Sequence, residues 1–227
     1  MRLASGFAVC AFVVSATVAQ AATITRTAEY PLTALPGPPG TDTTLSIQKF
    51  SPSWGTLLAV EVELEGTSGG TLRIARNNNG PTGSVTYTST LGANFALSFD
   101  TTSLPVLSVD TPVSVTVPRG TNRTSDPVSS TGTVSDTYVA PAILAFFTGP
   151  GNVIFNLSID RDNGLISPTS TVTNGTYTPG RFNEAGALLT VRYDVDRSTA
   201  VPEPLTLSLF GMGLIGLGLV RRVSRRG

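Results

Sequence analysis

Thr56-Leu-Leu-Ala-Val-Glu-Val-Glu-Leu-Glu65 is the stretch of this 227-residue chain that decides its fold class. Apolar and acidic residues alternate along it one by one, which is the period of a β-strand with one buried face. The apolar set is Leu58, Val60, Val62 and Leu64, and the acidic set is Glu61, Glu63 and Glu65. We therefore expect a strand whose apolar set faces a core and whose acidic set faces water.

The same alternation recurs along the chain between residues 22 and 198. It is clear in Val113–Val117 and in Leu189–Val195, where Leu189, Val191, Tyr193 and Val195 are expected to face inward. Further predicted strands are Thr44–Phe50, Thr71–Arg76, Gly83–Leu91, Ala93–Phe99 and Asn152–Ile159. Predicted turns are Ser68–Gly70, Asn77–Gly80, Gly149–Gly151, Asp162–Gly164 and Asn174–Gly175, and one short helical turn is expected within Ala140–Phe147. Short strands separated by Gly and Asn turns predict an all-β domain, an antiparallel β-sandwich of about 8–11 strands.

The first 21 residues have the order of a secretory signal peptide. Met1-Arg2 is basic, Leu3 to Val18 is mostly apolar, and Ala19-Gln20-Ala21 supplies a small-residue cleavage site. We predict a signal peptide helix over 1–21, cleaved by signal peptidase between Ala21 and Ala22 after Sec-type export. An uncleaved membrane anchor is the alternative.

The last 27 residues form a second targeting segment. Val201-Pro202-Glu203-Pro204 is followed by the uncharged segment Leu205–Val220 and then by Arg221, Arg222, Arg225 and Arg226. A helix of 16 residues spans about 24 Å, slightly less than a bilayer core of about 30 Å. By the positive-inside rule the arginines stay cytoplasmic, so we predict a single transmembrane helix over about 205–220. A buried helix of a soluble domain is the alternative.

This tail resembles the PEP-CTERM sorting signal, because the motif, the apolar segment and the basic end occur in order in residues 201–227. The resemblance implies recognition by an exosortase, a membrane-embedded transpeptidase of Gram-negative bacteria. It implies cleavage near Pro202-Glu203-Pro204, with release to, or attachment at, the cell surface. Proteins with this signal are associated with exopolysaccharide and biofilm matrix. The Gly211–Gly216 match to a dinucleotide-binding G-x-G-x-x-G pattern lacks the flanking strand and amphipathic helix that such a site needs.

Composition excludes several function classes. The chain has no histidine, and its single cysteine, Cys10, lies in the predicted signal peptide, so histidine-dependent catalysis and His-ligated zinc are excluded. Residues 22–198 carry ten basic and 14 acidic side chains, a net charge of −4. A mildly acidic domain is a poor binder of nucleic acid, so no nucleic-acid partner is expected.

Four groups of side chains in the body are candidates for chemistry. Asp160-Arg-Asp-Asn-Gly164 is similar to a calcium loop but has glycine one place early, and a hairpin turn is the alternative. Glu61 and Glu63 have the spacing of paired hydrolytic carboxylates, and a solvated strand face is the alternative. Asp194 and Asp196 are expected to be solvated. Aromatic residues could stack on sugars or belong to the core, and they are Tyr30, Trp54, Tyr87, Tyr138, Tyr177 and Tyr193.

The body resembles the choice-of-anchor E domain over most of residues 23–196. The similarity is carried by Ile47–Gly66, Leu144–Phe155 and Val191–Val195, and Ser51 stands where an aspartate is expected. That domain occurs on exported bacterial proteins with varied surface anchors, so the resemblance implies location more than activity.

Taken together, these patterns predict an exported, exosortase-sorted protein of the cell surface or extracellular matrix. Before processing, the C-terminal helix would anchor it in the inner membrane. A structural or adhesive role is expected, with no catalytic residue, metal or cofactor. A module that binds exopolysaccharide is the alternative, and a histidine-free carboxylate hydrolase is a second alternative.

Overall fold

The computed structural model describes residues 20–35, 40–78, 82–168 and 177–197, and residues Ala21–Asp196 form one compact unit. Within this part of the chain the regular elements are eleven strands, one 3-10 turn and one short helix. They are β1 Gln20–Ala34, β2 Thr41–Gln48, the 3-10 turn Pro52–Trp54, β3 Thr56–Arg76, β4 Ser84–Phe99, β5 Thr102–Ser103, β6 Leu107–Pro118, β7 Asn122–Thr124, β8 Val128–Tyr138, α1 Pro141–Phe147, β9 Asn152–Asn163, β10 Ser167–Pro168 and β11 Tyr177–Arg197.

The strands form two sheets. In the first sheet the order is β1-β11-β3, with β7 and β8 along the free side of β3. In the second sheet the order is β2-β9-β4, with β5 and β6 along the free side of β4 and β10 beyond the end of β9. Every register given for these pairs is antiparallel. The prediction of an all-β antiparallel sandwich is therefore confirmed.

The eight long strands follow the connectivity of a jelly roll. Along the chain β1, β3, β8 and β11 belong to the first sheet, whereas β2, β4, β6 and β9 belong to the second. The four-strand orders β1-β11-β3-β8 and β2-β9-β4-β6 are those of two interleaved Greek keys. Successive long strands therefore lie in opposite sheets, except β4 and β6, which are neighbours in the second sheet.

The turn predicted at Ser68–Gly70 is wrong, because β3 runs without interruption from Thr56 to Arg76. The small residues there make room for the facing sheet and for the flanking strands. A Cβ at Gly66 would lie 2.7 Å from a ring carbon of Phe95, and the Thr111 hydroxyl donates to the Ser68 carbonyl at 3.0 Å. A Cβ at Gly69 or Gly70 would instead meet the backbone of β8 or β11 in the same sheet. Close packing, rather than chain reversal, therefore explains this glycine-rich stretch.

A β-bulge changes the side on which one predicted core residue lies. Val195 of β11 pairs with Leu57 and Asp194 pairs with Ala59, so Leu58 is an extra residue in β3. Leu57 packs against the core, and Leu58 is 50% exposed. The prediction that Leu58 faces inward is therefore wrong.

Beyond the bulge the predicted alternation holds. Val60, Val62 and Leu64 are fully buried, as expected for the inward set of a half-buried strand.

The structure differs from two other local predictions. The strands predicted as Gly83–Leu91 and Ala93–Phe99 are one continuous strand, β4. The hairpin predicted at Asp162–Gly164 is wrong, because β9 and β10 both run antiparallel to β4 and continue along it in one direction. The short helix predicted within Ala140–Phe147 is α1, and Gly149–Gly151 is a bend as predicted. Asn174–Gly175 lies outside the described residues.

The core consists of two apolar clusters between the sheets. The larger one ends in a group of aromatic rings beneath α1, in which Phe99 contacts Phe147 and Phe155 with ring centroids 5.2 Å apart. The smaller one surrounds Tyr87 and contains Leu72, Ile74 and Leu91. The inward faces are thus used for packing, and chemistry exposed to a partner has to come from the outer faces and the ends of the sandwich.

Candidate functional sites on the body and the tail

The acidic face of β3 is occupied by an arginine from the neighbouring strand. Arg192 of β11 lies directly opposite Glu61, and its Nη1 atom is 3.1 Å from a Glu61 carboxylate oxygen and 2.6 Å from one of Glu63. The hydrogen bond with Glu63 raises the pKa of Arg192, and the bond with Glu61 adds to this. All three side chains are about one-third exposed.

This geometry favours a solvated strand face over a hydrolytic pair. An acid catalyst has to keep a proton at neutral pH, which a hydrophobic pocket promotes. Glu61 and Glu63 lie instead on a part-exposed strand face, with their oxygens against Arg192. Glu61 and Glu63 therefore act as partners of Arg192 across two strands.

The aromatic residues considered for sugar binding are mostly inside the sandwich. Tyr87 and Tyr193 are fully buried, and Tyr138 is 8% exposed. Burial raises the pKa of Tyr193 to about 12, and burial followed by the charge of Asp136 does the same for Tyr138. These three tyrosines belong to the core and offer no ring face to a sugar.

The remaining aromatic candidates do not form a shared platform. Trp54 meets Phe50 edge to face at 5.5 Å, and the Arg26 guanidinium lies 5.4 Å from the centre of the indole ring. Tyr177 is half-buried and packs on Tyr87 at 4.8 Å. Tyr30 is half-buried at the inner side of β1. The structure therefore does not bring these rings together on one surface.

The residues compared with a calcium loop form part of a regular strand. Asp160 and Asp162 lie in β9, where they pair with Asn94 and Gly92 of β4 and point to the outer face. An extended strand cannot wrap its carboxylates around one ion as a calcium loop does. Within the described ranges no group of three or more Asp, Glu, His or Cys residues is placed to hold a metal. Asp194, near the end of β11, is exposed to water as expected, and its carboxylate accepts a hydrogen bond from the Thr23 hydroxyl of β1 at 3.0 Å.

The outer face of the second sheet contains a feature that the sequence reasoning missed. Small polar residues of β2, β4, β5 and β9 surround an open depression of about 600 Å³. Much of its lining is apolar and includes Ala96, Leu97, Leu104, Val106 and Leu157. We call it the polar depression. Its polar residues are Asp42, Thr43, Thr44, Ser98, Ser103, Asn156 and Ser158. The Ser158 hydroxyl donates to Asp42 at 2.6 Å, which fixes one wall.

The alternation that predicted strands also contained the signal for this face. In β2 the outward residues Asp42, Thr44 and Ser46 are all polar and short. In β9 the outward Asn156 and Ser158 lie opposite Thr44 and Asp42. Reading both outward sets together would have shown a polar surface, although their pairing could not be known from the sequence.

The predicted targeting residues lie almost entirely outside the described part of the chain. This holds for Ala19, for Val201, Pro202, Glu203 and Pro204, for the segment 205–220, and for Arg221, Arg222, Arg225 and Arg226. Ala21 and Ala22 are described and lie at the start of β1. In the described residues no helix has the length and apolar character that crossing a bilayer requires. The cleavage site, the signal helix and the transmembrane helix thus remain predictions.

Comparison with known protein families identifies the tail. Residues 200–226 match the PEP-CTERM protein-sorting motif, which confirms the prediction made from 201–227. The match supports an exported protein that an exosortase sorts. No curated protein matches the chain.

Solved structures give only weak similarities. One is the structure of infectious bursal disease virus Gx strain, with 15% identity and a TM-score of 0.18 over 79% of this chain and 38% of that one. Another is of T=1 particles derived from the same virus, with 16% identity and a TM-score of 0.20 over 79% and 37%. This chain therefore spans less than two-fifths of either protein. Scores this low carry no argument about fold or function.

Proposed function

We propose that this chain is a cell-surface or extracellular-matrix protein whose jelly-roll body has a structural or adhesive, non-catalytic role. The observation that carries the proposal is the match of residues 200–226 to the PEP-CTERM protein-sorting motif. With a signal peptide over 1–21, the body is exported while the tail holds the chain in the inner membrane. An exosortase then cleaves near Pro202-Glu203-Pro204, and the body passes to the surface or the matrix.

The choice-of-anchor E resemblance is part of the same proposal. That domain is found on exported bacterial proteins that differ in their anchors, and the sorting tail is one such anchor. An antiparallel sandwich without cysteine in residues 22–198 suits this setting, because its stability does not depend on disulfide formation in the exported compartment.

The non-catalytic role is supported by how the body uses its carboxylates. Glu61 and Glu63 are held by Arg192, and Asp160 and Asp162 are spread along a strand. The exposed edge strand β8 presents Ser129, Thr131, Thr133 and Ser135 to water. Hydroxyl-rich surfaces of this kind keep a protein hydrated and allow many weak polar contacts.

An exosortase deletion tests the sorting proposal. We expect the wild-type cell to carry the body at its surface without the tail. In the deletion strain the body should accumulate in the inner membrane with the tail attached. A variant truncated after Ala200 serves as a control, since it should be released in both strains. Equal location and equal chain length of the intact protein in the two strains would contradict the proposal.

Exopolysaccharide binding is the second candidate, and the polar depression is the observation that favours it. Seven short polar residues around a groove of about 600 Å³ offer hydroxyl, amide and carboxylate partners for sugar hydroxyls. Ala96 and Val106 add small apolar surfaces for the carbon face of a sugar ring.

Binding of purified exopolysaccharide to matched variants tests this second candidate. Asn156→Ala removes an exposed amide from the polar depression, and we expect it to weaken binding at least about fivefold, near 1 kcal/mol for one lost hydrogen bond. Ser135→Ala, on the outer face of the first sheet, is the matched control and should bind as wild type. Equal binding by all three proteins would exclude the polar depression as the sugar site.

A further inference from the structure

Two arginines, one from each sheet, make hydrogen bonds across the gap between the sheets at one end of the sandwich. Arg161 lies two residues after the buried Ile159 on β9, so its side chain is on the inward side of that strand. Arg181 lies two residues before the buried Asn183 on β11, so it is on the inward side of its strand as well. Both side chains are half-buried. They come from different sheets, so their approach depends on the jelly-roll pairing and is not visible as a sequence motif.

Backbone and hydroxyl groups hold the two guanidinium groups in one cluster. The Nη2 atom of Arg161 donates to the Leu35 carbonyl at 2.6 Å, and the Leu35 amide in turn donates to the Asn183 carbonyl at 2.9 Å. The Nη2 atom of Arg181 donates to the Ser89 hydroxyl at 3.2 Å and to the Gly164 carbonyl. Both cations are therefore fixed by neutral acceptors.

No carboxylate neutralises this pair in the described ranges, where the ion pairs found are those of Arg192. The acidic neighbours Asp160 and Asp162 point to the opposite face of β9. Among the described residues, these two half-buried positive charges thus have no carboxylate partner.

The electrostatics of Arg181 reflect this arrangement. Loss of water contact lowers the pKa of Arg181, and the charge of Arg161 lowers it further. Each guanidinium has five N–H donors. The Nε atoms of Arg161 and Arg181 are buried and have no hydrogen-bond partner in the described structure. The cluster therefore has spare donors as well as excess positive charge.

We propose that Arg161 and Arg181 together bind one oxyanion between the two sheets. A carboxylate, sulfate or phosphate group matches the planar fork of a guanidinium, and Ser89 adds a hydroxyl beside Arg181. A bound anion cancels the repulsion between the arginines and links β9 to β11. It is either a free anion or the acidic group of a polysaccharide. This inference does not depend on the proposed function.

Thermal unfolding of the full-length protein in sodium sulfate tests the site. Sodium chloride at equal ionic strength gives the screening baseline, and Arg123→Gln, an exposed arginine of β7, gives the general effect of sulfate on protein stability. We expect sulfate to raise the Tm of wild type and of Arg123→Gln alike. In Arg161→Gln and Arg181→Gln the apparent sulfate affinity should be at least tenfold weaker. An equal sulfate effect in all four proteins would overturn the proposal.

A conservative variant keeps the test informative if a glutamine variant does not fold. Arg161→Lys retains the charge and loses the fork, so we expect weaker sulfate binding than in wild type while the protein still unfolds cooperatively. Unchanged sulfate affinity in Arg161→Lys, with no folded glutamine variant, would count against the site. Calorimetry with galacturonate and with oligogalacturonate then identifies the source of the anion. Tighter binding of the oligomer supports a polysaccharide, and equal binding supports a free anion.

Discussion

Replacing Leu64 with alanine and replacing Leu58 with alanine make the same chemical change at two positions of β3. The sequence alternation predicts equal effects, because it assigns both residues to the core face. In the structure Leu64 is fully buried between the sheets, whereas Leu58 is the bulge residue and is 50% exposed.

The difference in burial sets the expected magnitudes. A buried Leu→Ala change costs about 2–5 kcal/mol, since transfer energy is lost and a cavity remains. At Leu58 the remaining apolar contact is about half and solvent fills the space, so we expect a loss of about 1 kcal/mol or less. Urea unfolding followed by tryptophan fluorescence measures both. With a slope of about 2 kcal/mol per M, Leu64→Ala should lower the midpoint by about 1–2.5 M and Leu58→Ala by less than about 0.5 M.

Equal losses in the two variants would refute the bulge and return Leu58 to the core. A small loss for Leu64→Ala would refute the packing of the two sheets at this point. The two leucines are six residues apart in one strand. Changes in the free energy of the unfolded chain should therefore be similar in the two variants and cancel when their stabilities are compared.

Three further changes probe other parts of the fold. Gly66→Val places side-chain atoms against Phe95, where even a Cβ lies at 2.7 Å, so we expect a loss of about 1–3 kcal/mol in urea unfolding. Burial raises the pKa of Tyr193 from 10.0 to about 12. The free energy of unfolding therefore includes the full contribution of the neutral phenol below pH 10, and this contribution is lost as the pH rises toward 12. Urea unfolding at pH values on both sides of pH 10 measures the loss. Arg192→Gln removes the surface ion pairs with Glu61 and Glu63, and we expect a loss below about 1 kcal/mol that shrinks further in high salt.

Each of these changes has a control. Gly180→Ala meets nothing closer than 3.7 Å, so a loss as large as that of Gly66→Val would argue against sheet contact as the cause. Tyr193→Phe cannot ionise, and an unchanged alkaline loss in that variant would assign the effect to other groups. A salt-independent loss of several kcal/mol for Arg192→Gln would mean that the pair is buried rather than exposed.

The fold class could be predicted from the sequence because period-two alternation reports burial directly. Val60, Val62 and Leu64 follow it, and so do Leu189, Val191 and Val195, all fully buried. Glycine was the weak point, since the same residue type serves turns and close packing. Gly66–Gly70 and Gly92 lie inside strands because a neighbouring backbone or side chain needs the space.

The location of candidate sites was harder to predict than the fold. The polar depression and the Arg161–Arg181 cluster combine residues from strands that are far apart in the sequence. Their contacts follow from strand order and register, which depend on long-range pairing. The tail differs, because its motif is contiguous and needs no tertiary structure to be recognised. This is why residues 201–227 could be assigned from the sequence and the surface of the body could not.

The intact mass of the protein isolated from the cell surface is the most direct measurement of the sorting mechanism. We expect a chain that begins at Ala22 and ends close to Pro202, in keeping with cleavage at both ends. A surface protein whose mass still includes Arg221 to Gly227 would contradict processing by an exosortase.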